Sequence, residues 1–314
     1  MPDIREKMTR LIRDKAAALG FDACGMAPAG KMDRETQILK NWLSGNMHAS
    51  MKYMERHAEK RNDPALLSQG ARSVVMLAMN YFPANTSPRS KTFRFSKYAF
   101  GKDYHTVIKN KLKVLLREIE NEAGPVRAKL FTDTAPVFEK AWAGRCGLGW
   151  IGKNACFINR RMGSFLFLGG IMLDQELVYD QNEPADHCGS CTRCMDACPN
   201  KAIIAPGMID ASKCISYLTI EHRGPFSGST NRLNGWVFGC DICQDVCPWN
   251  RFAKAHSNDE LMPREKFLSM DDHDWQSLDR NTFDELFGGT AVERTGYEGL
   301  RRNIGQVMRE NDIN

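Results

Sequence analysis

Seven cysteines in two short blocks are the residues of this chain whose type and spacing are best suited to chemistry. The first block, residues 188–199, has the spacing C-x2-C-x2-C-x3-C-P, and the second, residues 240–248, reads C-x2-C-x3-C-P. Soft thiolates at this density select iron–sulfur clusters or zinc over hard cations. The first spacing is typical of ligands to cubane clusters. The blocks therefore predict two [4Fe–4S] clusters and one-electron chemistry.

The spacing also divides the ligands between the clusters, because the fourth cysteine of such a run ligates the other cluster. A first cysteine set is then predicted to consist of Cys188, Cys191, Cys194 and Cys247. A second cysteine set takes Cys198, Cys240 and Cys243. The second set lacks one thiolate, and Cys214 is the only other cysteine between the blocks, so we predict it as the eighth ligand. The remaining cysteines are expected to be small buried hydrophobic residues: Cys24, Cys146 and Cys156.

Zinc and disulfides are the structural alternatives for these cysteines. Zinc sites usually pair two C-x2-C units, and the third and fourth cysteines of the first block fit that pattern poorly. Disulfides need an oxidising compartment, whereas residues 1–18 lack the apolar core of an export signal. No apolar run approaches the ~20 residues that span a bilayer. We therefore expect a cytoplasmic, oxygen-sensitive iron–sulfur protein with no membrane partner.

Composition and periodicity predict a packed protein with a change of character after residue 180. Hydrophobic residues make up 42% of the 314 residues and charged residues 26%, which favours a packed core over disorder. The net charge of +5 permits an anionic partner without establishing one. Before residue 175, apolar patterns predict alternating helices and strands and hence an α/β layer domain. The helices are predicted at 3–19, 104–122 and 139–145, and the strands at 73–81, 129–133 and 164–173. A polar segment at 181–186 reads as a hinge.

Two further segments carry weaker signals. Residues 147–154, Gly-Leu-Gly-Trp-Ile-Gly-Lys-Asn, are neither a P-loop nor a dinucleotide fingerprint, because the lysine is not followed by Ser or Thr and the segment follows a helix. A ligand-contacting loop and a plain tight turn both remain open there. Asp133 comes where a strand gives way to a helix, a position that suits either a catalytic carboxylate or a helix N-cap.

Several segments taken together resemble the epoxyqueuosine reductases, which are cobalamin-dependent iron–sulfur enzymes of tRNA modification related in fold to reductive dehalogenases. These segments are residues 97–105 (KYAFGKDYH), Asp133-Thr134, residues 147–154, Gly163-Ser164 and residues 214–221 (CISYLTIE). The similarity runs in order from about residue 5 to about residue 310. It implies an α/β (α+β) corrinoid-binding domain in residues 1–180, a bacterial-ferredoxin-like two-cluster domain in residues 181–255, and a short helical region in residues 256–314.

The resemblance also implies roles for single residues. Asp133 would be the general acid that protonates the substrate oxygen, with a pKa raised by burial beside the corrin. Cobalamin would lie, base-off, close to the cluster of the second cysteine set. Its lining residues would be Lys140, Phe157, Leu168, Cys240 and Asp241, with Arg56 and Ser96 as further contacts. Several of these would act through backbone groups.

The implied reaction is the reduction of epoxyqueuosine to queuosine at the wobble position of tRNA, using cob(I)alamin. A low-potential donor such as a flavodoxin or ferredoxin would deliver electrons to the first cysteine set, and we expect a monomer. Basic residues are candidates for phosphate contacts or a plain solvated surface: Lys213, Arg223, Arg294, Arg301 and Arg302. Many members of the family continue into a C-terminal helical-repeat region, and this chain ends at residue 314. The alternatives are a non-catalytic two-cluster electron carrier and a dehalogenase-like corrinoid enzyme, which the lack of a twin-arginine signal disfavours.

Overall fold

A computed structural model describes residues 3–83, 87–180, 186–226 and 232–312 of the chain. The predicted hinge at 181–186 lies outside these ranges except for its last residue. No helix in the described part has both the length and the apolar character that crossing a bilayer requires. The domain limits proposed from the sequence stay a prediction.

The strands within the described residues are, in chain order, β1 (Ala23–Pro28), β2 (Ser73–Asn80), β3 (Arg94–Phe95), β4 (Ala128–Phe131), β5 (Trp150–Ile151), β6 (Phe157–Ile158), β7 (Leu166–Leu173), β8 (Ile203–Ala205), β9 (Met208–Ile209) and β10 (Trp236–Phe238). The α-helices are α1 (Ile4–Ala18), α2 (Asp33–Ser44), α3 (Ala58–Asn62), α4 (Tyr104–Ala123), α5 (Glu139–Arg145), α6 (Arg193–Ala197), α7 (Ile215–Ile220), α8 (Ile242–Asp245), α9 (Glu265–Ser269), α10 (Asp272–Gln276), α11 (Arg280–Phe287) and α12 (Gly296–Asp312).

A four-stranded sheet with the order β1-β2-β7-β4 forms the centre of the first half, and all its pairings are antiparallel. Every residue of β2 and β7 is buried. Alternate residues of β2 point to opposite faces, as strand geometry requires: Val75 and Leu77 pack with α1 and α4, while Val74 and Met76 pack with α5. Because both faces are covered, these strands read as continuous apolar runs, and the strands predicted from those runs are confirmed.

The helices that cover this sheet begin and end where the sequence predicts. α4 starts after Asp103, whose carboxylate accepts the backbone N–H of His105, and ends at Gly124. Its buried stripe, including Ile108 and Leu112, packs on the same sheet face as α1. α5 covers the opposite face through Trp142. The predicted helices at α1, α4 and α5 are confirmed. The first turn of α4 lies beside the end of β4.

A second core joins residues 93–100 to the C-terminal helices. β3 pairs in parallel with β10, although some 140 residues separate them in the chain. The Phe95 ring lies 5.0 Å from Phe267 and 4.8 Å from Trp275 between ring centroids. Aromatic burial of this kind is a large favourable contribution to packing. Cys214 and Cys240 pack against this second core.

Candidate active site and iron–sulfur ligands

The first cysteine set surrounds a cavity of about 230 Å³. All four predicted cysteines line it, together with Lys153 and Trp249. The Lys153 ammonium donates to the carbonyls of Gly189 and Cys191, at 2.6 and 3.0 Å, and so ties the loop after β5 to the first cysteine block. No three His, Cys, Asp or Glu side chains of the described residues converge on a single metal ion. The thiols are instead spread around a cavity that suits a larger group.

The indole of Trp150 supports the same assignment. Its N–H is buried without a hydrogen bond of normal geometry, and its neighbour is the Cys188 sulfur. Burial raises the pKa of Cys188, whereas Trp150 acts as a donor that lowers it. A buried N–H that faces a thiol sulfur fits a thiolate ligand, because the charged form is the better acceptor.

The second cysteine set is also assembled, from three separate segments: the first block, Cys214 and the second block. Burial raises the pKa of Cys240 to about 12, and the nearby Cys214 and Cys198 thiols contribute in the same direction. Cys243 is likewise affected by Cys240 and Cys214. Metal binding must displace these protons, since only thiolates ligate iron. Cys214 therefore lies where the ligand count placed it, and its role as a ligand stays a prediction.

The three cysteines outside the two sets differ from one another. Cys146 is buried, as expected. Cys24 is partly exposed, and burial still raises its pKa to about 12. Cys156 lies beside Cys243, and this neighbour lowers the pKa of the Cys156 thiol. The sequence gives no signal for that contact, because Cys156 stands alone between the two halves of a short hairpin.

The glycines of residues 147–154 serve close backbone packing. A Cβ on Gly149 would lie 2.0 Å from the Ile158 carbonyl oxygen, so only glycine allows β5 and β6 to pair. The turn ends at Ala155, whose φ of 57° is in the left-handed region. Among the two readings, the tight turn accounts for these glycines, while Lys153 holds the first cysteine block.

Asp133 stands at the end of β4 in a strained conformation. Its φ is 52°, a value that costs a non-glycine residue energy unless its surroundings enforce it. Its backbone N–H donates to Glu139 Oε1 at 2.5 Å, and the preceding Thr132 donates its hydroxyl to the Leu168 carbonyl at 2.8 Å. The N-cap alternative is wrong, because α5 begins only at Glu139 and is preceded by Phe138.

The first turn of α4 supplies two donors to this carboxylate. Asp133 Oδ2 lies 2.8 Å from the Tyr104 hydroxyl and 2.9 Å from His105 Nε2. The other imidazole nitrogen, Nδ1, lies 2.6 Å from Asp103 Oδ1. His105 is therefore held between two carboxylates. Sequence reasoning did not single it out, although it belongs to the KYAFGKDYH segment that carries the resemblance.

The pKa values of this network run against one sequence-based hypothesis. Burial lowers the pKa of His105, but the hydrogen bonds to Asp103 and Asp133 raise it to about 9. Burial raises the pKa of Asp133, but the hydrogen bonds from His105 and Tyr104 outweigh this and leave it below its usual value. The hypothesis of a raised Asp133 pKa is thus wrong for the protein's own groups. At neutral pH the proton resides on His105.

Glu139 is the carboxyl whose pKa is raised. Burial, followed by the charge of Asp133, raises its pKa to about 8.

The Asp133 side chain is 61% exposed, yet desolvation is the largest influence on its pKa. Both observations hold for a group inside an open cleft with protein on several sides. We call this space the Asp133 cleft and define it by Asp133, Tyr98, Tyr104, Glu139 and Lys140.

Lys140 connects this cleft with Cys156, the cysteine that lies beside Cys243 of the second cysteine set. Its ammonium donates to the Ala155 carbonyl at 2.7 Å, and it lowers the pKa of both Asp133 and Cys156. Tyr98 also lies near both regions. Burial raises its pKa most, and the charges of Asp133 and Asp241 raise it further. Lys140 and Tyr98 therefore lie near both the Asp133 carboxylate and the segments around the second cysteine set.

The other predicted lining residues fall into two groups. Phe157 and Leu168 are buried in one apolar cluster beside the cleft. Asp241 is fully buried and is occupied by the Ser96 hydroxyl, the Lys97 backbone N–H at 2.9 Å and the Lys97 ammonium at 3.3 Å. Ser96 and Asp241 could therefore contact a ligand only through backbone atoms. Cys240 precedes Asp241, and Arg56 is exposed, with its carbonyl bonded by Arg61.

The predicted basic residues differ in their hydrogen-bond and ion-pair partners. Arg294 forms a two-pronged pair with Glu221 at 3.0 and 2.9 Å, and these hydrogen bonds raise its pKa. Arg302 donates to the carbonyls of His222, Gly224 and Leu218 and stabilises the end of α7. The remaining three are bonded within the protein: Arg301 to Gln276, Arg223 to Arg294, and Lys213 to Asp210.

This fold and its two thiol sets define a double-cluster iron–sulfur protein. A family model described as a 4Fe-4S double cluster binding domain matches residues 187–250. A second model, described as epoxyqueuosine reductase QueG, DUF1730, matches residues 61–134. The two matches lie on the cysteine blocks and on the segment that ends at the catalytic candidate.

The particular family follows from curated relatives. The chain is 45% identical over 307 residues to the epoxyqueuosine reductase of Cyclobacterium marinum, covering 97% of this chain and 98% of the relative. It is 39% identical over 308 residues to that of Pseudomonas aeruginosa, covering 95% and 84%. The chain therefore belongs to the epoxyqueuosine reductase family, and the predicted family is confirmed.

Solved structures agree with the fold. An epoxyqueuosine reductase bound to a tRNA-Tyr epoxyqueuosine-modified stem loop has a TM-score of 0.88 at 29% identity, covering 96% of this chain and 81% of that one. A Bacillus subtilis enzyme with its catalytic aspartate loop swung out of the active site matches equally well, at 0.88 and 28%. A catabolic reductive dehalogenase shares the fold alone, at 0.51 and 13%. The predicted fold class is confirmed.

Proposed function

We propose that this chain reduces epoxyqueuosine in tRNA to queuosine, the last step of queuosine formation. The reaction consumes two electrons and two protons, and the epoxide oxygen leaves as water. The observation that carries the proposal is the Asp133–His105–Tyr104 network, with Lys140 near both Asp133 and Cys156, the neighbour of Cys243 in the second cysteine set. Family membership and a relative bound to a modified stem loop support the substrate.

Two [4Fe–4S] clusters, held by the first and second cysteine sets, would carry the electrons. Cobalamin would be held beside the Asp133 cleft, where Phe157 and Leu168 belong to a buried apolar cluster and Lys140 lies near both Asp133 and Cys156. Ser96, Cys240 and Asp241 would contribute backbone contacts beside it. When bound there, cobalamin supplies a strongly reducing cobalt centre able to open the epoxide.

The protein's own groups would supply the protons. His105 carries a proton at neutral pH, and its Nε2 lies 2.9 Å from Asp133 Oδ2. As negative charge develops on the epoxide oxygen, Asp133 would pass on the proton that it takes from His105. Asp103 would hold the imidazole in place and stabilise its charged form. Glu139, with a pKa of about 8, is a second protonated group in the cleft and matches the need for a second proton.

The partners follow from the same chemistry. An anticodon loop presents unstacked bases, and the modified base would be extruded into the cleft. Arg294, which is paired with Glu221 and half exposed, is one of the predicted phosphate contacts, and binding should weaken with salt. The electrons would come from a low-potential flavodoxin or ferredoxin in the cytoplasm, where thiolate ligands and tRNA occur together.

The decisive experiment uses the anaerobic protein reconstituted with iron, sulfide and cobalamin. An epoxyqueuosine-modified anticodon stem loop is supplied with a chemical reductant, and nucleosides are analysed by mass spectrometry. We expect queuosine to form, with about eight irons per chain. Formation of queuosine by protein without cobalamin, or release of halide from an organohalide in place of epoxide reduction, would contradict the proposal.

A further inference from the structure

A strip of positive charge lies beside the cavity of the first cysteine set. A depression of about 600 Å³ opens next to it and is lined by Arg160, Arg161, Arg251, Phe252, Ala253 and Lys254. Arg251 lines both spaces, so the depression and the cysteine cavity are adjacent. All four cations are exposed, as is His187 at the edge of the cysteine cavity. We call these four cations the basic strip.

The charge of the basic strip is not neutralised within the described part of the chain. No Asp or Glu of the described residues lines either space. The ion pairs of those residues all involve other cations. Four like charges without partners produce a positive potential that attracts an acidic surface and speeds its encounter.

The strip also has an apolar contact point. The Arg251 guanidinium lies 4.4 Å from the centre of the Phe252 ring, and that ring is 39% exposed. An exposed aromatic ring inside a charged border is typical of protein contact surfaces, where the aromatic group provides the buried centre. Electron-transfer contacts are small and transient, so a patch of this extent is sufficient.

We propose that the basic strip is the docking surface for an acidic, low-potential flavodoxin-type donor that reduces the cluster of the first cysteine set. This inference rests on the proposed function only in its assignment of electron entry to that cluster. Each donor would pass one electron from its flavin hydroquinone, which becomes the semiquinone. Two donors are therefore oxidised per epoxide, and the two protons come from the Asp133 cleft.

RNA is also anionic, so the location of the strip decides between the two partners. The strip shares Arg251 with the cysteine cavity and shares no residue with the Asp133 cleft as defined above. A donor has to approach the cluster, whereas the modified base has to reach Asp133. The geometry therefore favours the electron donor.

The test measures cluster reduction directly and needs neither tRNA nor cobalamin. Reduced flavodoxin is mixed with the oxidised iron–sulfur protein in a stopped-flow instrument, and bleaching of the cluster absorbance is followed at low and high salt. The variant is R160E/R161E. The matched control is K113E/R117E, which reverses two exposed cations on α4 that also lack ion-pair partners among the described residues.

We expect the bimolecular rate of R160E/R161E to fall by about 10- to 100-fold at low salt, and the difference to shrink at high salt. The control should stay within about twofold of the wild type. Reduction by photoreduced 5-deazariboflavin, a small uncharged donor, should be equal in all three proteins, which also shows that the cluster is intact.

Unchanged reduction of R160E/R161E by flavodoxin would overturn the proposal. So would a variant that keeps this rate but binds the anticodon stem loop more weakly, because the strip would then be an RNA surface. If the wild type fails to reduce epoxyqueuosine while the flavodoxin rates behave as expected, the proposed function fails and the docking surface stands.

Discussion

The two chemical regions of this molecule are built in different ways. The first cysteine set takes its four thiols from two short blocks, and its neighbours Lys153 and Trp150 come from one hairpin. The Asp133 cleft takes its groups from the end of β4, the first turn of α4 and the start of α5. Electron transfer therefore depends on local spacing, whereas proton transfer depends on how distant elements pack. Perturbing each region should leave the other intact.

Replacing one ligand should have the largest effect. In Cys214→Ala the second cluster loses a thiolate, so iron should fall from about eight to about four per chain and queuosine formation should be abolished. Iron analysis and the nucleoside assay measure this. The control Cys24→Ala, outside both sets, should keep its iron. A fully loaded and active C214A would remove Cys214 from the ligand set.

Asp133→Asn removes the proton donor of the Asp133 cleft. Loss of a positioned proton donor typically costs 10²- to 10⁴-fold in rate, so turnover with a chemical reductant should fall by about that factor. Iron content and cluster reduction should not change, which separates this variant from a ligand loss. Asp14→Asn, at an exposed position of α1, is the control. Wild-type turnover by D133N would refute the proton role.

The titration of His105 should be visible in the pH dependence of the reaction rate. Its pKa is raised to about 9, so its charged form stabilises the fold fully below its unfolded pKa of about 6.5. That contribution is lost as pH rises through 9. Because His105 also supplies a proton to the reaction, the wild-type rate should fall as pH passes 9. His105→Gln should be about 10- to 100-fold slower at pH 7, and its rate should not show this fall at high pH. An unchanged fall in H105Q would assign it to another group.

Glu139 should affect stability over a lower, overlapping pH range. Because burial raises its pKa from 4.5 to about 8, the folded state binds this proton more tightly than the unfolded chain. The free energy of unfolding should therefore decline between pH 4.5 and 8. Glu139→Gln keeps an acceptor for the Asp133 N–H and removes the titration. Its melting temperature relative to wild type should rise from pH 6 to pH 8.5; a constant difference would contradict the raised pKa.

Trp150→Phe should have the smallest effect. It removes the N–H beside Cys188 while keeping an aromatic ring. With the cluster bound, this N–H would donate to the Cys188 thiolate. Loss of such a hydrogen bond, about 1 kcal/mol, corresponds to about 40 mV in a one-electron couple, so the first cluster should become harder to reduce by about that amount. Potentiometric titration followed by electron paramagnetic resonance measures this, and the second cluster serves as the internal control.

Much of this protein could be predicted from its sequence. Cluster chemistry is encoded in the spacing of thiols that lie within a few residues of each other, so even the placement of Cys214 near Cys240 followed from counting. Buried strands and amphipathic helices were equally accessible, because β2, β7 and α4 carry the periodicity that burial imposes. Local patterns determine local structure.

Tertiary structure alone decided the protonation states and the surfaces. The raised pKa expected for Asp133 is instead found on Glu139, because α4 brings His105 and Tyr104 to the carboxylate across some 28 residues of chain. Likewise, no spacing rule brings Arg160 of one loop beside Lys254 of another. A pKa and a surface potential depend on distances in space, and the sequence records only distances along the chain.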